Sequence, residues 1–343
     1  MNWKHMQFYT FFIIIIVVIG LFCVKKNIEE YLNPPRTIFV SIASYRDKQC
    51  SNTLKDLFMN AKYPQNIYVG ICQQNKKDDD ECELIKECIR EGLCVGNQIR
   101  KIKLDFSEAK GPAYARYYCS TLYEDETFYL QIDSHINFIE HWDEKLLNMH
   151  DNLPPNSIIS SYPLDYKDRH KLGVPYICES MYKSHKGIPE YQSYIQEPTD
   201  RPRLTYIIAA GFLFMPRQAV IDVPYDPHLP YLFMGEETLL AARLWTSGYN
   251  IYSPNMNITY HDYGRKDDPK VWNDNKQFNK NNKKVINKVL YLLGEKSRED
   301  VVPELLLDID KYGLGNQRTL QEYLHFADLD LKNSKGSKKW CTI

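Results

Sequence analysis

Phe128-Tyr129-Leu130-Gln131-Ile132-Asp133-Ser134-His135 is the stretch whose reading decides the fold. Five residues, four of them apolar, run without helical spacing and stop at an acid, as a short buried strand does where it reaches a sheet edge. Upstream, Gly111-Pro112 opens a helix, with proline in the first turn where its missing N–H costs nothing. Before that, Ile102, Leu104 and Phe106 alternate as a strand, and Asn66 to Cys72 reads as another. Ser51 or Asn52 is expected to cap a helix with Leu54, Leu57, Phe58 and Ala61 on one face. Thr37 to Ile42 is the first buried strand. The order β-α-β-β-α-β argues for an α/β fold with a mainly parallel, Rossmann-like sheet covered by helices. Ligands of such sheets bind beyond the carboxyl ends of the strands, where Asp133, Ser134 and His135 lie.

The second half is less regular. Ser157 to Tyr162 and Leu204 to Met215 read as strands, and Glu237 to Ser247 as a helix ended by Gly248. Ile251-Tyr252 and Ile258-Thr259-Tyr260 are further short strands, and Lys276 to Leu293 is helical.

The rest of the chain bounds the class of protein. It has 343 residues, 43% hydrophobic and 25% charged, which supports a large core and argues against wholesale disorder. A net charge of −1 gives no global attraction to nucleic acid. Phe8 to Val24 is apolar apart from Tyr9, Thr10 and Gly20, close to the ~17-residue lower limit of a membrane span, and no small-residue cleavage site follows it. A signal anchor over residues 8–24 is expected, after a tail of 1–7 and before a stem of 25–36, placing the body in the lumen as a single-pass type II protein. The cytosolic side is the alternative. Cys72, Cys82, Cys88 and Cys94 crowd together, a spacing a lumenal compartment would allow to pair and one unsuited to zinc.

Chemistry concentrates at three places. Asp133 at a strand end can ligate a divalent cation that grips a diphosphate, and His135 can reach the same ion; a solvated acid in a strand-end turn reads equally well. Gly235-Glu236-Glu237 opens a helix with paired carboxylates that could bind a sugar hydroxyl, orient an acceptor or act as a nucleophile, or could simply face the helix dipole. His261-Asp262-Tyr263-Gly264-Arg265 follows a strand, and His261 is a buried strand histidine or a ligand.

In order and spacing, Gly111-Pro112-Ala113-Tyr114-Ala115-Arg116, Asp133-Ser134-His135, Ala209-Ala210-Gly211, Phe233-Met234-Gly235-Glu236-Glu237 and His261 resemble the motifs of the polypeptide N-acetylgalactosaminyltransferases, whose catalytic domains are GT-A folds. The resemblance implies that Asp133, His135 and His261 hold Mn2+. It also implies that Arg116 lies near a UDP-sugar donor and that Ala210, Gly211 and Glu236 surround the transferred sugar. Phe233, Met234 and Glu237 depart from that family's Trp-Gly-Gly-Glu-Asn. A likeness over residues 37 to 330 joins Ile42-Ala43-Ser44-Tyr45-Arg46-Asp47, Gln131 to His135, Gly235-Glu236-Glu237 and Tyr312-Gly313-Leu314-Gly315-Asn316-Gln317-Arg318-Thr319, which look like the GlcNAc-transferase family. That family adds GlcNAc to hydroxyproline, Thr or Ser.

The likeness implies UDP-GlcNAc as donor, a protein acceptor and transfer with retention. Ser44, Tyr45, Arg46 and Asp47 would line the nucleotide pocket, and Arg318 would contact diphosphate or acceptor, or form a structural salt bridge. Residues 37–330 would then be one GT-A catalytic domain. Its donor half would span about 37–140, its acceptor half about 141–270 and a helical part about 271–330, with a basic tail over 331–343. Another UDP-sugar, a glycan acceptor, or a membrane-anchored carbohydrate-binding protein without catalysis are the competing readings.

Overall fold

A computed structural model describes residues 36–84, 92, 96–265 and 267–342. The apolar run at 8–24, together with Cys23, Cys88 and Cys94, lies outside these. Among the described residues no helix is long and apolar enough to cross a membrane.

The first half follows the expected alternation. Strand β1 (Ile38–Tyr45) leads to helix α1 (Cys50–Met59), then to β2 (Ile67–Asn75) and β3 (Ile99–Asp105). Helix α2 (Pro112–Ser120), β4 (Phe128–Asp133), β5 (Ile136–Phe138) and α3 (Trp142–Asp151) come next. β3, β2, β1 and β4 lie side by side and parallel, with Ala43 of β1 level with Asp133 of β4. The side chains of β1, β2 and β4 are mostly buried on both faces, which is why these strands read as apolar runs, whereas the edge strand β3 is half-buried to exposed and alternates. α1 begins earlier than a Ser51 or Asn52 cap predicts. Gln49 is the cap, without a side-chain bond, and its N–H is taken by Asp47 Oδ1 at 2.9 Å.

The second half contains β6 (Ser157–Ser160), β7 (Leu164–Asp165), β8 (Val174–His185), β9 (Ile188–Gln196), β10 (Arg203–Thr205) and β11 (Phe212–Pro216). Helices α4 (Arg217–Asp222) and α5 (Glu236–Thr246) precede β12 (Asn250–Ser253) and β13 (Thr259–His261). The main sheet has eight strands in the order β10-β12-β6-β11-β4-β1-β2-β3, with β10 and β11 running against the rest. It is therefore mostly parallel, as expected.

One predicted strand is wrong in extent. Leu204 to Met215 splits into β10 and β11, and residues 206–211 between them form a connection that is buried over 206–209. The backbone leaves the ladder because its polar groups are taken elsewhere: Ala210 N–H donates to Glu237 Oε1 at 2.8 Å, and Ala210 C=O accepts from Gln131 Nε2 at 2.6 Å. Such satisfaction lets a non-ladder segment be buried.

Two features had no sequence signal. β8 and β9 form a separate hairpin, turned at Gly187 with φ +78. Two register shifts blur its period-two pattern. The C-terminal residues also pack back: Ser337 pairs with Ser180, and Cys341 is disulfide-bonded to Cys178 of β8 across 163 residues. A second disulfide joins Cys50 to Cys82, so Cys82 pairs outside its own cluster, while Cys72 is a buried free thiol.

Beyond β13 lie α6 (Val271–Asp274), α7 (Phe278–Leu292), the short α8 (Ile309–Tyr312) and α9 (Leu320–Ala327). Lys288 of α7, fully buried, holds the fully buried Asp226 at 2.5 Å and so ties down the segment that leads into α5.

Candidate active site

The carboxyl ends of β1 and β4, the start of α5 and the end of β13 surround one cavity of about 680 Å3. β13 is brought there by a small second sheet, in which His261 is level with Ile136 of β5 and with Asp165 of β7. Topology thus joins residues 128 positions apart: His261 Nε2 stands 3.2 Å from Asp133 Oδ2, and the His135 and His261 rings meet edge to face at 4.5 Å.

Asp133, His135 and His261 each offer a ligand atom, and these atoms lie within 4.8 Å of one another. Ligand bonds of about 2.1 Å bring opposed donors to about 4.2 Å, so modest side-chain adjustment closes the set on one ion. Two further observations fit a cation. His261 Nδ1 is buried without a hydrogen-bond partner, a condition that calls for an explanation in a folded protein. A Cβ on Gly211 would come within 2.9 Å of Asp133 Oδ2, so only glycine leaves that carboxylate clear.

Behind the triad stands Asp47. Its Oδ2 is 2.8 Å from His135 Nδ1, 2.5 Å from Ser134 Oγ and 2.9 Å from Arg265 Nη1. Arg265 Nη1 also lies 2.7 Å from His135 Nδ1. One nitrogen cannot both donate to Asp47 and accept from Arg265. The arrangement in which Nδ1–H donates to Asp47 leaves the Nε2 lone pair free for a metal, the carboxylate–histidine support common behind metal ligands. Burial works to raise the Asp47 pKa, but the His135 bond, Arg265 and Ser134 outweigh it and hold the carboxyl below its ordinary value.

Arg116 of α2 bridges the triad to the paired acids. It reaches Asp133 Oδ1 at 3.0 Å and Glu236 Oε2 at 2.6 Å. Burial opposes ionisation of Asp133 too, yet the His261 bond and Arg116 hold it well below the usual carboxylate range. Glu236 and Glu237 separate in role. Burial raises Glu236 while Arg116 resists. Glu237 is pushed up to about 7, by burial and by Glu236, against hydrogen bonds from Tyr162 Oη and Ala210 N–H. Gly235, at φ +90, makes the sharp entry that aims both acids into the cavity.

Several of the residues expected around a nucleotide stand elsewhere. Tyr45 lines the cavity, its hydroxyl bonded to Asp274 at 2.7 Å. Ser44 is buried and its carbonyl takes the Gln74 amide. Arg46, with φ +48, pairs with Asp79 and Asp274 and is not in the cavity lining. Ala210 and Gly211 do line it.

Arg318 is not brought to the cavity. It lies over the Trp245 ring at 4.6 Å and donates to the carbonyls of Gly248 and Tyr249. Gly315, Gln317 and Arg318 backbone N–H groups bond Thr246 Oγ1 and O. The late motif therefore caps the carboxyl end of α5, satisfying its last carbonyls with a cation beside them. Among the lining residues without a role in the sequence reading are Lys270, Trp272, Tyr162 and Tyr191. Tyr191 depends on the hairpin and could not have been found without it.

The family model described as glycosyltransferase (GlcNAc) matches residues 37–93 and 85–333. No curated protein matches the sequence. Among solved structures, GalNAc-T7 with UDP, GalNAc and Mn2+ is similar at a TM-score of 0.53 and 13% identity, over 88% of this chain and 56% of that one. The chain thus spans little more than half the length of that protein. TarS 1-349 of S. aureus in complex with UDP-GlcNAc is similar at a TM-score of 0.46 and 10% identity, over 77% of this chain and 68% of that one. The GalNAc-T7 likeness shows the fold, an α/β glycosyltransferase architecture.

Proposed function

We propose a reaction from one premise: the chain belongs to the glycosyltransferase (GlcNAc) family. It transfers GlcNAc from UDP-GlcNAc to a protein hydroxyl, of hydroxyproline, Thr or Ser, with retention and in dependence on Mn2+. One observation carries the reading: Asp133, His135 and His261 converge at the wall of a cavity large enough for a nucleotide-sugar, with Arg116 joining them to Glu236. The donor and metal agree with the UDP and Mn2+ of the GalNAc-T7 structure.

In the transfer, the bond from sugar C1 to the diphosphate oxygen breaks and a bond from C1 to the acceptor oxygen forms. UDP leaves with the bonding electrons, and the hydroxyl proton is released from the acceptor. Asp133, His135 and His261 would hold a divalent cation, which would supply the positive charge that a departing diphosphate needs. The protein's own groups do the rest. Asp47 fixes the His135 ring, and Gly211 keeps the approach to Asp133 open. Arg116 holds Glu236 in place and opposes the burial that raises its pKa, so that the carboxyl can meet a sugar hydroxyl. Glu237, held by Tyr162 and the Ala210 N–H, is poised to exchange a proton near neutrality, which suits it to the acceptor hydroxyl.

We also assign the body to the lumen behind a signal anchor at residues 8–24. The apolar run and the disulfides Cys50–Cys82 and Cys178–Cys341 support this. Protease digestion of intact microsomes tests it: the body is protected if lumenal and degraded without detergent if cytosolic.

The test of function is a panel of UDP-sugars incubated with the purified protein and Mn2+, with water and with peptides as acceptors. UDP-GlcNAc should be cleaved fastest. Preference for another UDP-sugar would overturn the donor assignment, and no cleavage of any would favour a binding protein.

A further inference from the structure

A second cleft of about 390 Å3 opens beside the main cavity, and Tyr162, Pro163, Tyr191 and Tyr263 line both. Its other wall is the face of the β8–β9 hairpin that carries Pro175, Ser193 and Ile195. We propose that this cleft is the acceptor groove and that its occupant is an extended polypeptide segment free of acidic residues. The inference rests on the transferase reading above and adds to it where the acceptor lies and what chemistry it must have.

Continuity comes first. Tyr162 separates the two spaces and bonds Glu237, so a hydroxyl-bearing side chain passing Tyr162 arrives at the paired acids. The chemistry of the walls selects the occupant. All three shared tyrosines have their hydroxyls already engaged: Tyr162 with Glu237, Tyr191 with Thr238 Oγ1 at 2.9 Å, and Tyr263 with the Pro163 carbonyl at 3.0 Å. Their rings are thereby fixed and offer mainly apolar faces. Pro163, Leu164, Pro175 and Ile195 complete a largely apolar surface, with Gln192 and Ser193 as its uncharged polar groups, suited to the aliphatic side chains, pyrrolidine rings and amides of a peptide.

Charge narrows the choice. Among the described residues Asp165 is the one charged residue lining the groove, and its Oδ1 takes the Lys167 N–H. Among them nothing there compensates a phosphate-bearing polymer or an acidic peptide. The wall itself is a strand face: Tyr191, Ser193 and Ile195 alternate along β9, a spacing that meets the side chains of a segment laid along it in extended form.

The experiment uses purified protein with Mn2+ and UDP-GlcNAc. The acceptor probes are octapeptides with one central Thr flanked by Ala, Val and Pro, the same peptides flanked by Glu, and N-acetyllactosamine. The neutral peptides should be glycosylated with a KM at least about tenfold below that of the Glu-flanked set. Ile195, 47% exposed, can be changed with little risk to folding. Ile195→Glu should raise the peptide KM about tenfold or more, and Ile195→Val should leave it near wild type. Cleavage of UDP-GlcNAc by water reports the donor half separately. If wild type cleaves UDP-GlcNAc with neither water nor any peptide as acceptor, the transferase reading fails. If cleavage occurs but Ile195→Glu leaves the peptide KM unchanged, the groove assignment is overturned. Glycosylation of the disaccharide in preference to any peptide overturns it as well.

Discussion

Replacing Arg116 by methionine should be among the costliest single changes in the protein, and the cost should depend on pH. The guanidinium is 6% exposed and sits between Glu236, 8% exposed, and Asp133, 29% exposed. Methionine fills similar space but leaves two carboxylates facing each other without a cation. Stranding a buried charge in this way costs about 3–5 kcal/mol. The lower half of that range is the better expectation, because Asp133 keeps some contact with solvent. For a chain of this size that corresponds to a fall of about 4–6 °C in Tm. The cost should shrink on acidification. Burial already raises the Glu236 pKa, and without Arg116 it rises further, so the carboxyl takes up a proton and the uncompensated charge disappears. Urea unfolding of Arg116→Met and Arg116→Lys at about pH 5.5 and pH 8 measures this. Mn2+ should stabilise the methionine variant more than wild type, since the ion restores positive charge beside Asp133. A loss below about 1 kcal/mol, identical at both pH values, would refute the claim that Arg116 holds the acids together.

Other expectations concern the same cavity. Asp133→Asn and His261→Ala should each weaken Mn2+ binding and collapse turnover, with the double variant little worse than either, because ligands act as one unit; calorimetric titration with Mn2+ and initial rates check both. Asp47→Asn should lower Mn2+ affinity by about 10–100-fold through the His135 ring while leaving the triad intact. Glu237 binds its proton more tightly folded than unfolded, with a pKa of about 7 against 4.5, so its stabilisation is complete below about pH 4.5 and is lost as pH rises through about 7. Glu237→Gln should flatten that window by about 1–2 kcal/mol in urea unfolding, half the full linkage value because the side chain stands at a cavity wall. Lys270, half-buried in the lining with no carboxylate within 4.0 Å among the described residues, should contribute to diphosphate binding: Lys270→Met should weaken UDP about tenfold and leave uridine unchanged by calorimetry.

What was legible in the sequence follows the period of the signal. The buried parallel strands β1, β2 and β4 are short apolar runs bounded by turn residues, and each appears within about three residues of its predicted limits. Asp133 and His135 were legible for the same reason, since a strand that ends on an acid points it at the ligand edge. His261 needed the family resemblance, because its own strand is three residues long and its partners β5 and β7 are equally short. The β8–β9 hairpin was invisible because its register shifts break the alternation. Residues 206–210 read as strand because they are apolar, whereas hydrogen bonds to Glu237 and Gln131, from distant sequence, draw the end of the segment off the ladder. Arg318 sat in a conspicuous motif, yet conspicuous glycines serve a helix end as readily as a ligand.

The bond between Cys178 and Cys341 imposes an order in time. A ribosome must add 163 residues after Cys178 before its partner exists, about 8–33 s at ordinary elongation rates. Cys50 meets Cys82 after only 32 residues, so the sheet end that carries Asp47 is locked while the hairpin thiol still waits. During that interval β8 has no covalent hold, and any oxidant finds Cys178 unpaired. The wall that faces the second cleft therefore gains its disulfide later than the sheet end that carries Asp47, and Asp133, His135 and His261 are all synthesised before Cys341 is.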